Sequence, residues 1–301
     1  MKSSTTPYLR IVCNYSNECN FKCKWCHHEG INPRREGQLL SSKEIAHVVS
    51  MFYEEGVKKI KLIGGEATLR KDLSNIIYDI RSLGKDIDIS LVTNGSILSK
   101  KIKEYYSAGL SRVNITLTTL DFNYFLKNVG DSKQFYSVLQ GIDKAVEMNM
   151  CSKINHIYHD FNDFLNIIKY AATKKVRVNL LNLIPSSFSS KYTTISEIKK
   201  VIEQLPVVKK NVEYDPFSLP VMVYKLSNSV EIELKFLEIG KQNLLYSCES
   251  CEKKEICKEG IYAFRLTPTG DLQPCLLRDD NILPNANRVS KEEFHDYMRG
   301  I

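Results

Sequence analysis

The sequence predicts an α/β protein: a partial (β/α)6 barrel over residues 1–200, followed by a small annex over residues 201–301. Three observations carry this expectation. Six β-rich runs alternate with amphipathic helical runs up to about residue 184. That alternation stops after Pro185. The chemically distinctive residue groups of the first part fall at the C-terminal ends of the strand candidates, where a barrel of this kind places its chemistry.

The strand candidates are LRIVCNY (9–15), KIKLIGG (59–65), DISLVTNG (88–95), RVNITLTT (112–119), KINHIYH (153–159) and RVNLLNLI (177–184). Between them, Ser42-Lys43-Glu44 opens a helix with Ile45, Val48, Val49 and Phe52 at helical spacing. Further helices are expected over 72–83, 98–108, 133–149 and 161–174. Strands that alternate with helices read as parallel βαβ units. Beyond Pro185 a helix is expected over 195–204. VMVYKL (221–226) and VEIELKF (230–236), separated by SNS, read as a β-hairpin from their period-two alternation. The boundary between the two parts is expected near 185–210.

Composition is that of a globular protein: 43% hydrophobic and 26% charged residues in a chain of 301. A core of this size needs no disulfides. No stretch approaches the roughly 20 apolar residues of a membrane span, and MKSSTTPYLR lacks a signal-peptide apolar region, so a cytoplasmic protein is expected. The net charge of +7 is spread over helix faces without a long basic run. Nucleic acid is therefore an unlikely partner.

Nine cysteines are unevenly placed, which in a reducing compartment suggests metal or iron–sulfur ligation. Cys19, Cys23 and Cys26 form a C-x3-C-x2-C group with Trp25 just before its last member. Thiolates suit iron–sulfur clusters. Three of them can hold one face of a 4Fe–4S cubane and leave one iron open. A zinc site completed by His27 or His28 is the alternative. Cys248, Cys251, Cys257 and Cys275 form a second group, with Gly270 placed to turn the chain between the two strands that deliver Cys275. It reads either as a second iron–sulfur site or as a structural zinc site with four thiolates. Cys13 and Cys151 read as buried small hydrophobes.

With these motifs in place, the sequence resembles the radical SAM superfamily. Gly64-Gly65-Glu66 follows the second strand as that family's GGE motif does. The resemblance implies a partial (β/α)6 TIM-like barrel, a 4Fe–4S cluster on Cys19, Cys23 and Cys26, and S-adenosylmethionine (SAM) chelated to the open iron. It implies that Gly64, Gly65 and Glu66 meet the SAM amino group, with Trp25, Asn94 and Thr116 near the same cofactor. For Asn94 a simple Asn-Gly turn is the competing reading. Within the superfamily the likeness runs to the GTP 3′,8-cyclases of molybdenum-cofactor biosynthesis, through YLRIV, CNFKCKWCHHEG, GGEATLRKDL, LVTNG, RVNITLTTLD, SKINHIYHDFND and RLTPTGDLQPCLLRDDN. It implies a twitch-type annex with an auxiliary 4Fe–4S cluster. Reductive SAM cleavage to a 5′-deoxyadenosyl radical, with a flavodoxin or ferredoxin as electron donor, follows from the same likeness. Arg10, Arg70, Lys153 and Arg265 are then the candidate phosphate contacts.

The sequence also departs from that pattern. Ala67 stands where relatives carry proline, and Thr116-Leu117-Thr118 where they carry serine, leucine and aspartate. Ala263 replaces one of two arginines, four late cysteines replace three, and the chain ends in Gly300-Ile301 rather than a glycine pair. Three functions follow as candidates. The first is a GTP-cyclase-like nucleotide cyclase. The second is a natural-product or peptide-maturation enzyme acting on a peptide, sugar or aminocyclitol. The third is a non-catalytic metal-binding regulatory protein.

Overall fold

A computed structural model describes residues 7–26, 28, 37–182, 193–215, 218–235, 248, 251–252, 262–275 and 281–300. Six parallel strands stand side by side in chain order: β1 (Tyr8–Val12), β2 (Lys59–Ile63), β3 (Asp88–Thr93), β4 (Arg112–Thr116), β5 (Cys151–Ile157) and β6 (Arg177–Leu181). All six are strands the sequence predicts. Each ends before the expected C-terminal residues, which leave the sheet as the loops that carry the site.

Helices α1 (Ser42–Glu54), α2 (Leu73–Leu83), α3 (Leu98–Ala108), α4 (Phe122–Asn128), α5 (Ser132–Glu147) and α6 (Phe161–Lys174) connect these strands. Local chemistry fixes their starts. Ser41 caps α1 in a reciprocal box with Glu44, Asp131 does the same for α5 with Gln134, and Asp121 and Asp160 cap α4 and α6. Leu9, Ile11, Ile60, Leu62, Ile89, Leu91, Val113 and Ile115 alternate along the strands and are buried in the main core with the helices' apolar stripes. The residues between them face the other side, the barrel lumen.

The strands after α7 (Ile195–Ile202) extend this one sheet at both edges. At the β6 edge come β9 (Glu231–Lys235, parallel), β8 (Ser218–Leu226) and β7 (Val207–Asp215), the last two antiparallel to their neighbours. The predicted hairpin is therefore present, with β7 added to it. At the β1 edge, β10 (Ala263–Leu266) lies parallel to β1 and pairs with β11 (Leu272–Gln273) across the predicted Gly270 turn. Gly270 has φ +105°, which favours glycine. Helix α8 (Lys291–Gly300) buries Phe294 against Phe52 of α1, ring centroids 5.0 Å apart. Among the described residues no helix is long and apolar enough to cross a membrane.

Candidate functional site

The site is built where β1 to β5 end. After β1, Cys13 donates its N–H to Ile63 O (2.8 Å), and the chain turns into the loop carrying Cys19, Cys23 and Cys26. All three thiols are partly exposed. Burial pushes the Cys19 thiol up to about 11 and that of Cys23 to about 12, so iron must displace a proton when it binds. The Phe21 N–H points at Cys19 Sγ (3.3 Å) and Asn94 Nδ2 stands 3.9 Å from the same sulfur. Soft donors from one loop, with N–H groups aimed at a sulfur, fit an iron–sulfur cluster.

Helix α4 anchors this loop from behind. Lys22 and Lys24 donate their N–H groups to Val129 O (2.8 Å) and Asn128 O (3.2 Å). Phe21 packs edge-on against Phe125, centroids 5.6 Å apart, and Trp25 stacks on Tyr124 at 6.1 Å. Gln134 of α5 donates to Asn20 O (2.6 Å), while Asn20 bonds Ser96 and Asn94. The sequence reading singled out neither α4 nor Asn14 and Asn20.

The GGE turn presses against the same loop. A Cβ on Gly65 would stand 2.5 Å from Glu18 O and 2.8 Å from Tyr15 O, and one on Gly64 would strike Asn14 Oδ1. The glycines are thus required by the cysteine loop itself. Asn14 is 2% exposed and clips the two segments, donating Nδ2 to Glu66 O (3.0 Å) and Glu18 O (3.1 Å). Glu66 is equally buried, and burial raises its pKa despite its hydrogen bonds. Its Oε2 accepts from Asn94 N (2.7 Å); its Oε1 accepts from Thr93 Oγ1 (2.6 Å), Thr68 N (3.1 Å) and Thr68 Oγ1. The carboxylate is therefore engaged with protein donors and ties β2 to β3, which the expectation of a direct carboxylate–ammonium contact did not foresee. Ala67 is fully buried in the 3₁₀ turn that follows.

Thr116, at the end of β4, is the register partner of Asn155, which accepts from Asn179 Nδ2 (2.8 Å). This polar row lines the lumen. Below it the lumen is basic. Arg10 lies in register with Arg265 of β10 on one side and Lys61 of β2 on the other. Lys61 Nζ sits 4.8 Å from the Tyr8 ring centroid. Burial, together with Arg10, Lys59 and Lys153, lowers the Lys61 ammonium to about 8, against the pull of Tyr8. Burial raises the Tyr8 phenol, but Lys61, Arg10, Lys235 and Lys59 outweigh it and bring it down to about 8. Lys61 and Tyr8 were not among the expected contacts, although period-two alternation with Arg10 could have found them.

Two of the expected phosphate contacts are placed differently. Arg70 is not in the lumen group: it donates to Cys13 O (2.6 Å), to Leu40 O and to both Asp72 oxygens (2.7 and 3.0 Å). A guanidinium with its donors used this way is a structural clamp. Lys153 does line the lumen, but it forms an ion pair with buried Glu233, which Arg177 also engages at 2.9 Å. Of the late cysteines, Cys248, Cys251 and Cys275 are half-buried, and Cys251 N donates to Cys248 O (3.3 Å). Cys257 lies outside the described residues.

This arrangement matches known proteins. The Radical SAM superfamily sequence model matches residues 13–171, more than half the chain. A probable GTP 3′,8-cyclase of Methanococcus vannielii is 33% identical over 279 residues, covering 92% of this chain and 87% of that protein. A GTP 3′,8-cyclase of Campylobacter jejuni subsp. doylei is 29% identical over 283 residues, covering 91% and 81%. Among solved structures, Streptococcus suis SuiB bound to S-adenosylmethionine superposes with a TM-score of 0.67 at 16% identity, over 97% of this chain and 66% of that one. The AdoMet-bound anSMEcpe does so at 0.62 and 14%, over 96% and 80%. The last two share the fold. Fold, motif order and full-length similarity agree: this chain belongs to the radical SAM superfamily, whose enzymes use a 4Fe–4S cluster and SAM and require a reductant and a substrate.

Proposed function

We propose that this protein is a nucleotide cyclase of the GTP 3′,8-cyclase type, with Cys19, Cys23 and Cys26 as ligands of the SAM-binding cluster. The bound cluster and SAM supply a 5′-deoxyadenosyl radical able to take hydrogen from an unactivated carbon. The protein's part is positioning and exclusion of water. The glycine turn offers main-chain carbonyls to the SAM amino group, Glu66 holding that turn rigid. Asn94, Thr116 and Trp25 shape the surrounding wall. The observation that carries the substrate class is the register row Arg265–Arg10–Lys61 on three adjacent strands. Like charges placed side by side cost stability; an anionic ligand such as a triphosphate offsets that cost. We further infer a division near residue 200, with the segment beyond it acting as an annex. There Cys248, Cys251, Cys257 and Cys275 hold an auxiliary 4Fe–4S cluster. The reductant is a flavodoxin or ferredoxin, in a reducing cytoplasm that keeps the thiols available.

A peptide or natural-product substrate is the second reading. The pairing of Lys153 and Arg177 with Glu233 favours it, since these two lumen cations already have a carboxylate partner. Anaerobic reconstitution followed by assay of 5′-deoxyadenosine release, with and without GTP, tests both. Release stimulated by GTP, binding of GMP at least tenfold weaker, and loss of release in a Cys19, Cys23 and Cys26 triple alanine variant support the cyclase. Cluster-loaded protein that binds GTP and GMP equally and responds to neither refutes a triphosphate site.

A further inference from the structure

We propose that His156, His159 and Asp163 form a mononuclear site for a divalent transition-metal ion of the zinc class, outside the barrel lumen at the junction of β5 and α6. The inference does not depend on which substrate the lumen takes. One ligand atom from each of the three residues lies within 4.8 Å of the other two. Among the described residues this is the one set of histidine, cysteine and carboxylate side chains that converges so closely.

Each residue is already oriented as a ligand would be. His156 directs Nδ1 to Leu117 O (3.2 Å) and His159 directs Nδ1 to Ile157 O (3.2 Å). A backbone carbonyl can only accept, so Nδ1 carries a proton in both rings and Nε2 is the ring atom that remains to meet a metal ion. Metal-bound histidines commonly have this support. Asp163 Oδ1 accepts from Leu120 N (3.0 Å), which leaves Oδ2 facing His159 Nε2 at 3.3 Å. A tetrahedral zinc with bonds of about 2.0–2.1 Å spaces its ligand atoms about 3.4 Å apart, so this pair already stands at ligand separation.

A second observation is independent of that convergence. His156 is fully buried, and its Nε2 has no hydrogen-bond partner. A buried acceptor left in this state is costly. The ring could have been an apolar side chain, because it stacks on Phe164 at 5.8 Å and 7°. A metal ion explains why a histidine is there: two imidazoles and one carboxylate suit zinc or iron(II), with water completing the shell. His159 also stacks on Tyr124 (4.2 Å, 14°), which stacks on Trp25 beside Cys26. The ion would therefore brace the wall behind the cysteine loop.

Zinc is the probe. Cluster-loaded wild type, His159→Phe and Asp163→Asn are equilibrated with zinc, desalted and analysed for metal. His159→Phe keeps the stack on Tyr124, and Asp163→Asn keeps an acceptor for Leu120 N–H. Wild type should retain one zinc per chain. The variants should bind zinc on the order of a thousandfold more weakly, beyond the roughly 10–100-fold that outer partners carry. Zinc X-ray absorption on wild type gives an answer that needs no variant: a shell of nitrogen and oxygen alone supports the site, and a sulfur-containing shell overturns it. Equal zinc retention by all three proteins, or zinc lost only when Cys248, Cys251 and Cys275 are replaced, also overturns it.

Discussion

Glu66 and Gly65 separate two ideas of what the GGE motif does. Glu66 receives four protein donors while nearly fully buried. In Glu66→Gln an amide NH2 must face at least one of those donors, and each buried group left unsatisfied costs about 1–3 kcal/mol. The variant should therefore lose about that much stability in urea unfolding of the cluster-loaded protein. A carboxylate whose main duty was the SAM ammonium would instead show normal stability and weaker SAM binding. Gly65→Ala is expected to act on the cluster. Its Cβ would meet the Glu18 and Tyr15 carbonyls at 2.5 and 2.8 Å, and backbone cannot swing aside as a flexible side chain can. Iron content after reconstitution should fall, with SAM-dependent absorbance changes falling in proportion. The motif was legible in the sequence, but its reason was not. Tight spacing after a strand suggested close approach to a ligand, whereas the neighbour that forbids a side chain is the cysteine loop, 47 or more positions earlier in the chain.

Helix α4 shows how much of the site rests on an element too short to read. FNYFLKN spans seven residues, fewer than two turns, and gives no hydrophobic period. Yet it holds the cysteine loop through two backbone hydrogen bonds and two aromatic contacts. Phe125→Ala removes a 2%-exposed ring that packs edge-on against both Phe21 and Phe135. Core truncations of this kind cost about 3–5 kcal/mol. Thermal unfolding should show that loss, and iron should leave the variant faster under a chelator than it leaves wild type. The longer elements were legible because each carries its own signal. The strands are rich in Ile, Val and Leu, and α1, α5 and α6 have capping residues and an apolar stripe. Strand β7 and helix α8 were not, for opposite reasons: β7 is an edge strand with Val208 and Tyr214 exposed, and α8 buries a single residue, Phe294. The metal triad was hidden as well. His156 and His159 are three apart across the end of a strand, where no regular period brings two rings together; the carbonyl that orients His156 belongs to Leu117 on another strand end, and only that of His159, Ile157 O, is local.

At the scale of the whole molecule, extension of the sheet at β1 by β10 brings residues 10 and 265 into register, a pairing no local pattern announces. It concentrates positive charge on one wall of the lumen, while Glu233 and Glu231 balance the opposite wall. Two pH effects then add. As pH rises through about 8, Lys61 loses a proton and its charge, and the Tyr8 phenol becomes an anion. Both changes make the lumen less positive, so an anionic substrate should bind more weakly at pH 9 than at pH 7, seen as a rise in KM in a pH series. Lys61→Arg should flatten that rise, because guanidinium keeps its charge.

The opposite wall supplies a test by addition. Glu233 is 4% exposed and accepts from both Lys153 and Arg177, while Arg177 keeps Glu213 and Glu231 as further partners. Glu233→Gln therefore releases Lys153 more than Arg177. Removing one negative charge at about 8 Å from a bound phosphate, at an effective dielectric near 20, is worth about 2 kcal/mol, so the gain in affinity should be about thirtyfold. If the phosphates lie between the two walls, KM for GTP should fall, and the fall should largely persist at high salt because a buried charge is screened little. If the substrate instead carries a positive group toward Glu233, the same variant raises KM. The direction of a single measured shift thus reports which wall faces the charged end of the substrate.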